Sequence, residues 1–334
     1  MKKIFAVVLL GLLCCGTAVL RAADPEQFIP ATAPAIVRIN VGDLLAKPWM
    51  KNVLAKAEAN EKFAQGAAEL QKAFGVPWHK LIVGNAWITI PDGNFDQKNG
   101  SVFLFKTPVT EAKLAQSLNA AQTDKKFVLS KKVLAGKTFY ISTPVRRNQQ
   151  KTAEASALAY LAEDVVLLCK AAVLSEEFVQ QFNGKSANAL LKQIDRSAVA
   201  AMLIDVAAAA GNDQCSQVKG VLRLAGDKVE NLSFELELHG VFKDKNAASQ
   251  LAMQIQLMFP GLVGLVFGND DKLAMELAGA LKVKTKKEEM FVSYRISYNT
   301  LLRIEKYLAN PANRPSSGRN QSVGKPVELN NGAK

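Results

Sequence analysis

The chain has 334 residues, 49% of them hydrophobic and 22% charged, which is the composition of a folded globular protein and excludes disorder throughout. Its length is sufficient for two domains of ordinary size. The formal charge of +12 is explained first by solubility and by lysines that protect strand edges, with weak attraction to anionic surfaces as the alternative. No basic run is interleaved with aromatic residues, so the sequence disfavours a nucleic-acid partner.

Residues 1–22 are predicted to be a secretory signal peptide. Two lysines precede an uncharged apolar run over residues 4–13, which is too short to span a bilayer comfortably. Cleavage after Ala22 is favoured over cleavage after Ala23, because the latter would place Arg21 where a small or neutral side chain is preferred. The alternative is an uncleaved membrane anchor. Cleavage would lower the net charge from +12 to +9, because it removes three basic residues and no acidic ones. We therefore expect an exported protein of the periplasm or cell envelope.

Cleavage would leave two of the four cysteines, Cys169 and Cys215. An oxidising compartment permits one disulfide between them. Cys169 lies in an apolar predicted strand, where a buried free thiol is the commoner state, so both alternatives stay open. Lipidation at Cys14 is disfavoured, because Leu13 precedes it where a small residue is needed.

A strand, a turn and an amphipathic helix are predicted over residues 101–121, and a second version of this element over residues 232–258. The first α+β unit is assigned to residues 23–185. Its predicted elements are strands at 36–41, 81–90, from 101, 127–129, 138–142, 157–161 and 165–170, and helices from 43, at 61–74, 110–122 and 175–182.

The second α+β unit is assigned to residues 186–309. Its predicted elements are a connecting helix at 186–194, strands at 198–206, 221–224, 229–238, 277–283 and 290–296, and helices from 243 and at 299–308. Residues 310–334 are rich in Pro, Gly, Ser and Asn and are predicted to be a disordered tail.

The recurring order of elements predicts the fold class. We expect an α+β protein of two similar units, each a mainly antiparallel sheet with helices packed on one face. The match between the halves is one of pattern rather than of residue identity.

The residue inventory yields no catalytic, cofactor-binding or metal-binding residues, and we expect no cofactor. His79 and His239 are far apart in sequence and are interpreted as turn and surface residues. Ser216 and Lys219 match the S-x-x-K pair of penicillin-binding enzymes. That spacing is common by chance, and Lys219 leads into a predicted strand, whereas the motif requires a helix.

The uncharged stretch over residues 246–269 is a candidate for a membrane span. It contains Pro260 and four Gln or Ser residues, so a buried helix with a kinked apolar end is favoured over a membrane span. We expect no transmembrane span after signal cleavage. Interfacial association of the apolar end is a second alternative, although the helix lacks the basic polar face usual in interfacial helices.

The signal is followed by the segment PATAPAIVRINV over residues 30–41, a helix, and WITI over residues 87–90. This order resembles uncharacterised, signal-bearing exported proteins of duplicated α+β architecture from planctomycete, verrucomicrobial and lentisphaeral bacteria. The resemblance implies a duplicated fold and an envelope location, and it implies no catalytic residues.

Two functional hypotheses follow. The first is a non-enzymatic envelope protein that binds a still unknown envelope partner or has a structural role. The alternative is a periplasmic carrier of an apolar ligand, or a hydrolase with an unrecognised site, that uses a cavity between sheet and helices. Aromatic residues that could line such a cavity, or else form ordinary core, are Trp87, Phe103, Phe105, Phe234 and Phe259.

Overall fold

The computed structural model describes residues 23–91, 101–123, 127–144, 154–185, 187–211, 214–226 and 228–310. The predicted signal peptide and all but the first residue of the predicted tail lie outside these described residues.

Twelve strands form one antiparallel sheet. The strands are β1 (Ala35–Asn40), β2 (Val83–Ile90), β3 (Val102–Lys106), β4 (Phe127–Leu134), β5 (Lys137–Pro144), β6 (Ser156–Tyr160), β7 (Val165–Lys170), β8 (Ala200–Asp205), β9 (Cys215–Ala225), β10 (Ser233–Phe242), β11 (Leu281–Lys286) and β12 (Glu289–Ser297). Their order across the sheet is β11-β12-β10-β9-β8-β1-β2-β3-β7-β6-β5-β4.

The described residues contain nine α-helices and five 3-10 turns. The helices are α1 (Val41–Ala46), α2 (Met50–Glu58), α3 (Glu61–Phe74), α4 (Glu111–Thr123), α5 (Glu176–Gln180), α6 (Val206–Ala210), α7 (Lys245–Phe267), α8 (Asp271–Gly279) and α9 (Tyr298–Ala309). The 3-10 turns are Pro25–Phe28, Trp78–Lys80, Ala171–Val173, Ala189–Lys192 and Val229–Asn231. The predicted α+β class with antiparallel strands is therefore confirmed.

Strands β1 and β8 pair at the middle of the sheet and join the two halves of the chain. Their register places Val37 opposite Met202. Outward from this pair, the strand order is β2, β3, β7, β6 on one side and β9, β10, β12, β11 on the other. The hairpin of β4 and β5 extends the first side only.

Several predicted elements were wrong in their limits or type. The strand predicted at 229–238 is the 3-10 turn Val229–Asn231 followed by β10, and the strand predicted at 127–129 extends to Leu134. Residues 277–279 belong to α8 rather than to a strand, because the Asp270 side chain accepts a hydrogen bond from the Leu273 N–H and caps a helix that buries Leu273 and Leu277. Strand β9 begins at Cys215, six residues before the predicted start. The connecting helix predicted at 186–194 is only the 3-10 turn Ala189–Lys192.

The two faces of the sheet are covered differently. On the face that we call the helical face, α3 and α4 cover the first half and α7, α8 and α9 cover the second half. On the opposite face of the first half, Ile36, Trp87 and Leu104 pack against short helical turns that include Phe28 and Phe178. The sequence predicted the helix at 175–182 but not its packing on this face, and the other segments of this layer are too short to produce a helical period.

Asn188 ties this second layer to the start of the chain. Its side chain is 4% exposed, and its Nδ2 donates to the carbonyl oxygens of Pro30 and Ala33 at 2.8 and 2.9 Å. Its Oδ1 accepts from the Leu190 N–H at 2.9 Å. One buried amide therefore satisfies three backbone groups in two segments far apart in sequence.

Replacing Asn188 with alanine is expected to lower the free energy of unfolding by about 2–4 kcal/mol, because it leaves buried backbone groups without partners. Urea denaturation followed by circular dichroism measures the change. The matched control is Asn183→Ala, which removes an exposed amide that accepts a hydrogen bond only from the nearby Lys185 N–H; we expect a change of about 0.5 kcal/mol or less. Equal losses in both variants would contradict the structural role of Asn188.

Candidate functional site

An open apolar cavity of about 330 Å³ lies between the helical face of the first half and helices α3 and α4. Its lining is almost wholly aliphatic and aromatic. The lining residues are Ile39, Leu70, Phe74, Leu81, Ile82, Ala86, Ile88, Phe103, Phe105, Thr107, Val109, Leu114, Leu158, Tyr160, Val166 and Leu168.

The floor of the cavity follows from the alternation of side chains along antiparallel strands. Across β2, β3, β7 and β6, the register aligns two rows of side chains on the helical face. One row is Ala86, Phe105, Val166 and Tyr160. The second row is Ile88, Phe103, Leu168 and Leu158. Both rows lie under the helices, and so a continuous apolar surface forms the floor.

Helices α3 and α4 form the roof. Helix α3 is amphipathic and contributes Leu70 and Phe74 to the cavity before it ends at Gly75, which adopts a left-handed conformation with a φ of 77°. Helix α4 contributes Leu114. The Ser117 hydroxyl donates to the carbonyl oxygen of Ala73, which fixes α4 against the end of α3.

The few polar groups of the lining have partners within the protein. The Tyr160 hydroxyl donates to the carbonyl oxygen of Val109 at 2.5 Å, and the Thr107 hydroxyl oxygen accepts from the Val109 N–H at 3.3 Å. Burial raises the pKa of Tyr160, so its hydroxyl stays protonated at neutral pH. The lining therefore offers neither a general base nor a nucleophile.

One polar cluster packs beside the cavity. The Tyr140 hydroxyl donates to Glu111 Oε1 at 3.1 Å, and Lys131 Nζ lies 5.3 Å from the centre of the Tyr140 ring. Burial, followed by the charge of Glu111, raises the pKa of Tyr140. Tyr140 shares a core cluster with Tyr160 and Val166, so this cluster adjoins the wall of the cavity.

The structure brings together two of the five aromatic residues that the sequence suggested for a cavity. Phe103 and Phe105 line it. Trp87 is fully buried on the opposite face of the sheet, because it neighbours Ile88 in a strand and points the other way. Phe234 packs beside α2, and Phe259 packs with its ring 5.7 Å from that of Tyr294, so both are core residues of the second half.

The histidines and the S-x-x-K pair, for which the sequence predicted no functional role, lie outside the lining of the cavity. The His239 ring stacks on Phe291 at 4.5 Å between ring centres, and His79 packs edge-on against Trp78. Ser216 and Lys219 both lie in β9, where a spacing of three places their side chains on opposite faces of the sheet. Within the described ranges, no group of three or more His, Cys, Asp or Glu side chains could hold a metal ion.

Cys169 and Cys215 are both free, buried thiols. Cys169 belongs to the core on the opposite face of the first half, and Cys215 packs beside Phe242 in the second half. Burial raises the pKa of Cys169 from 9.0 to about 12 and also raises the pKa of Cys215. Of the two alternatives that the sequence allowed, a disulfide or free thiols, the structure has free thiols.

Comparison with known protein families, with curated proteins and with solved structures finds no match to this chain.

The burial of both thiols predicts low reactivity. Native protein is expected to react slowly with Ellman's reagent near neutral pH, whereas both thiols react once guanidinium chloride unfolds the chain.

The raised pKa of Cys169 predicts that the stability of the fold depends on pH. Because the pKa is raised in the folded state, the unfolded state loses its proton first, so Cys169 stabilises the fold fully below pH 9.0 and progressively less as the pH rises to about 12.

A Cys169→Ser variant, which does not ionise in this range, serves as the control for that pH dependence. Thermal unfolding measured across this pH range should show a shallower alkaline loss of stability in the variant than in the wild type. Rapid labelling of Cys169 in the native protein would contradict its burial.

Proposed function

We propose that this protein is an exported, non-enzymatic binding protein that holds an apolar ligand in the cavity beneath α3 and α4. The observation that carries the proposal is the open cavity of about 330 Å³, whose walls are apolar and whose polar groups already have partners. Its volume is at the lower end of the range of about 300–1,000 Å³ typical of small-molecule sites.

Physical chemistry favours an apolar occupant. A cavity with such walls gives water no hydrogen-bond partners, so a water molecule inside it would lose its hydrogen bonds. An alkyl or acyl chain gains dispersion contacts and leaves water at the same time. The half-buried Leu158 and Leu168 on the cavity floor are surface that such a chain would cover.

A hydrolase is less well supported than a carrier. Hydrolysis requires a nucleophile or an activated water beside a base, and Tyr160 and Thr107 supply neither. The two histidines, His79 and His239, do not line the cavity. Binding without chemistry is therefore the simpler use of this site.

The location in the envelope rests on the sequence. The predicted signal peptide at residues 1–22 directs the chain across a membrane. An apolar molecule that passes through an aqueous compartment requires a protein cavity to shield it from water, and an exported carrier would supply that cavity. The unknown envelope partner of the first hypothesis then becomes the donor or acceptor of the ligand.

We further propose that the two halves descend from one duplicated unit. Asn40 at the end of β1 caps α1 through the Asp43 N–H, and Asp205 at the end of β8 caps α6 through the Ala208 N–H, each at 3.0 Å. Each capping residue is followed by a valine that starts its helix. The mirrored strand order around the β1–β8 pair supports the same origin.

The proposed function predicts that filling the cavity lowers the affinity for an apolar ligand. Replacing Leu168 with tryptophan puts a large side chain on the cavity floor, so the affinity for dansyl-undecanoic acid should fall at least tenfold, while the melting temperature stays the same or rises. Titration of the delipidated protein, followed by dansyl fluorescence, gives the affinity.

Leu236→Trp is the matched control. Leu236 lies on the same face of the sheet in the second half, is 38% exposed and does not line the cavity. We expect this variant to bind the probe like the wild type. If the wild type does not bind the probe, or if Leu168→Trp binds it unchanged, the cavity is not a ligand site.

A further inference from the structure

The outward side of α7 is an exposed apolar surface. It consists of Leu257, Met258, Leu262, Leu265 and Val266, which are 73%, 61%, 54%, 80% and 36% exposed, and is extended by Met275 of α8, which is 69% exposed. We call these six residues the apolar face. Large side chains of this kind, contiguous and exposed, mark interaction sites on soluble proteins.

The inward side of α7 explains why the helix stays attached to the sheet. Ala248 and Ala252 pack over β10 to β12, and Val263 packs against α8 and α9. The helix continues through Pro260 to Phe267, and its outward side is exposed, so the prediction of a buried helix was wrong for that side. By length and composition alone α7 could cross a membrane. Only 11% of its most apolar 18-residue stretch is buried, whereas the core helix of a globular protein would be mostly buried.

The polarity of α7 is unusual for a surface helix. No charged residue occurs between Lys245 and Asp270, whereas a helix that faces water normally carries charged or polar residues on its outer side. A protein-binding surface would normally have a polar rim around its apolar centre. On the last three turns, the outward positions are instead apolar, glycine or proline, which suits a hydrocarbon phase.

The lysines of β11 face away from the apolar face. Strand β11 packs against α7 through Leu281 and Val283, so the alternating Lys282, Lys284 and Lys286 point to the opposite side of the sheet. At the two ends of α7 the exposed charges are of both signs, with Lys245 beside Asp244 and Lys272 beside Asp271. Apolar contact, rather than charge, is therefore the interaction that this surface offers to a partner.

We propose that the apolar face docks on the surface of a lipid membrane. The five large side chains of α7 enter the boundary between headgroups and acyl chains. The helix lies in the plane of the interface rather than across the bilayer, because its inward side remains packed on the sheet. This inference concerns a different half of the molecule from the cavity and does not depend on it.

Vesicle flotation with the mature protein tests the proposal. The wild type should float with vesicles of phosphatidylcholine as well as with vesicles of phosphatidylglycerol. The double variant Leu257→Gln/Leu265→Gln should partition at least tenfold less, because it removes two of the most exposed apolar side chains from the contact. Replacing Lys282 and Lys284 with glutamine should leave flotation with phosphatidylcholine vesicles unchanged, because both side chains point to the opposite face of the sheet.

The matched control is Val128→Gln/Val133→Gln on β4. These two valines are 54% and 66% exposed, so the control makes the same kind of change far from α7 across the sheet. It should float like the wild type, and all variants should keep the wild-type melting temperature.

Two outcomes would overturn the proposal. The first is a wild type that stays with the aqueous fraction, or a Leu257→Gln/Leu265→Gln variant that floats undiminished. The second is a lipid-free wild type that is dimeric by light scattering while the same variant is monomeric, which would make the apolar face an interface between two copies of this chain.

Discussion

The antiparallel pairing of β1 with β8 is the constraint on which the rest of the architecture depends. Val37 and Met202 meet there although 164 residues separate them in the sequence, so forming this contact closes a loop of about half the chain. Once formed, the pair merges two sheets into one, and the buried rows of each half become continuous. We therefore expect folding to be completed only after the second half of the chain is available.

Around that shared centre the two halves use the helical face differently. In the second half, α7 and α8 pack Phe259, Val263 and Leu273 in one cluster with Tyr294 and Ile296 of the sheet. In the first half, α3 and α4 cover a floor of phenylalanines and leucines and leave an open cavity between. The same strand pattern thus supports a packed cluster in one half and a cavity in the other.

The sequence was sufficient for the fold class and for most strands, because alternation as clear as that of residues 232–238 leaves few choices of face. The prediction failed where tertiary contacts decide. A single side-chain cap at Asp270 converts the start of an apparent strand into α8. Asn188, which anchors the second layer, is one polar residue in an unremarkable connector, and no local pattern indicates its three partners.

The candidate site was only partly predictable for a similar reason. Phe103 and Phe105 could be proposed because they alternate in a strand, but Trp87 belongs to a strand in which the neighbouring residue faces the cavity. Which face of a sheet becomes hollow depends on how far the covering helices stand from it. Contacts that hold the covering helices in place, such as the hydrogen bond from Ser117 of α4 to Ala73 of α3, join residues far apart in sequence and leave no periodic signal.

The sheet is open, so it ends in two edge strands, β11 and β4. Molecules joined edge to edge would continue the sheet from one to the next and form a filament, because the two edges are different and the contact does not close. Both edges carry lysines, at positions 282, 284 and 286 on one and at 131 and 132 on the other. Pairing them would bring like charges together without acidic partners on either strand, and so this distribution of charge keeps the chains from polymerising.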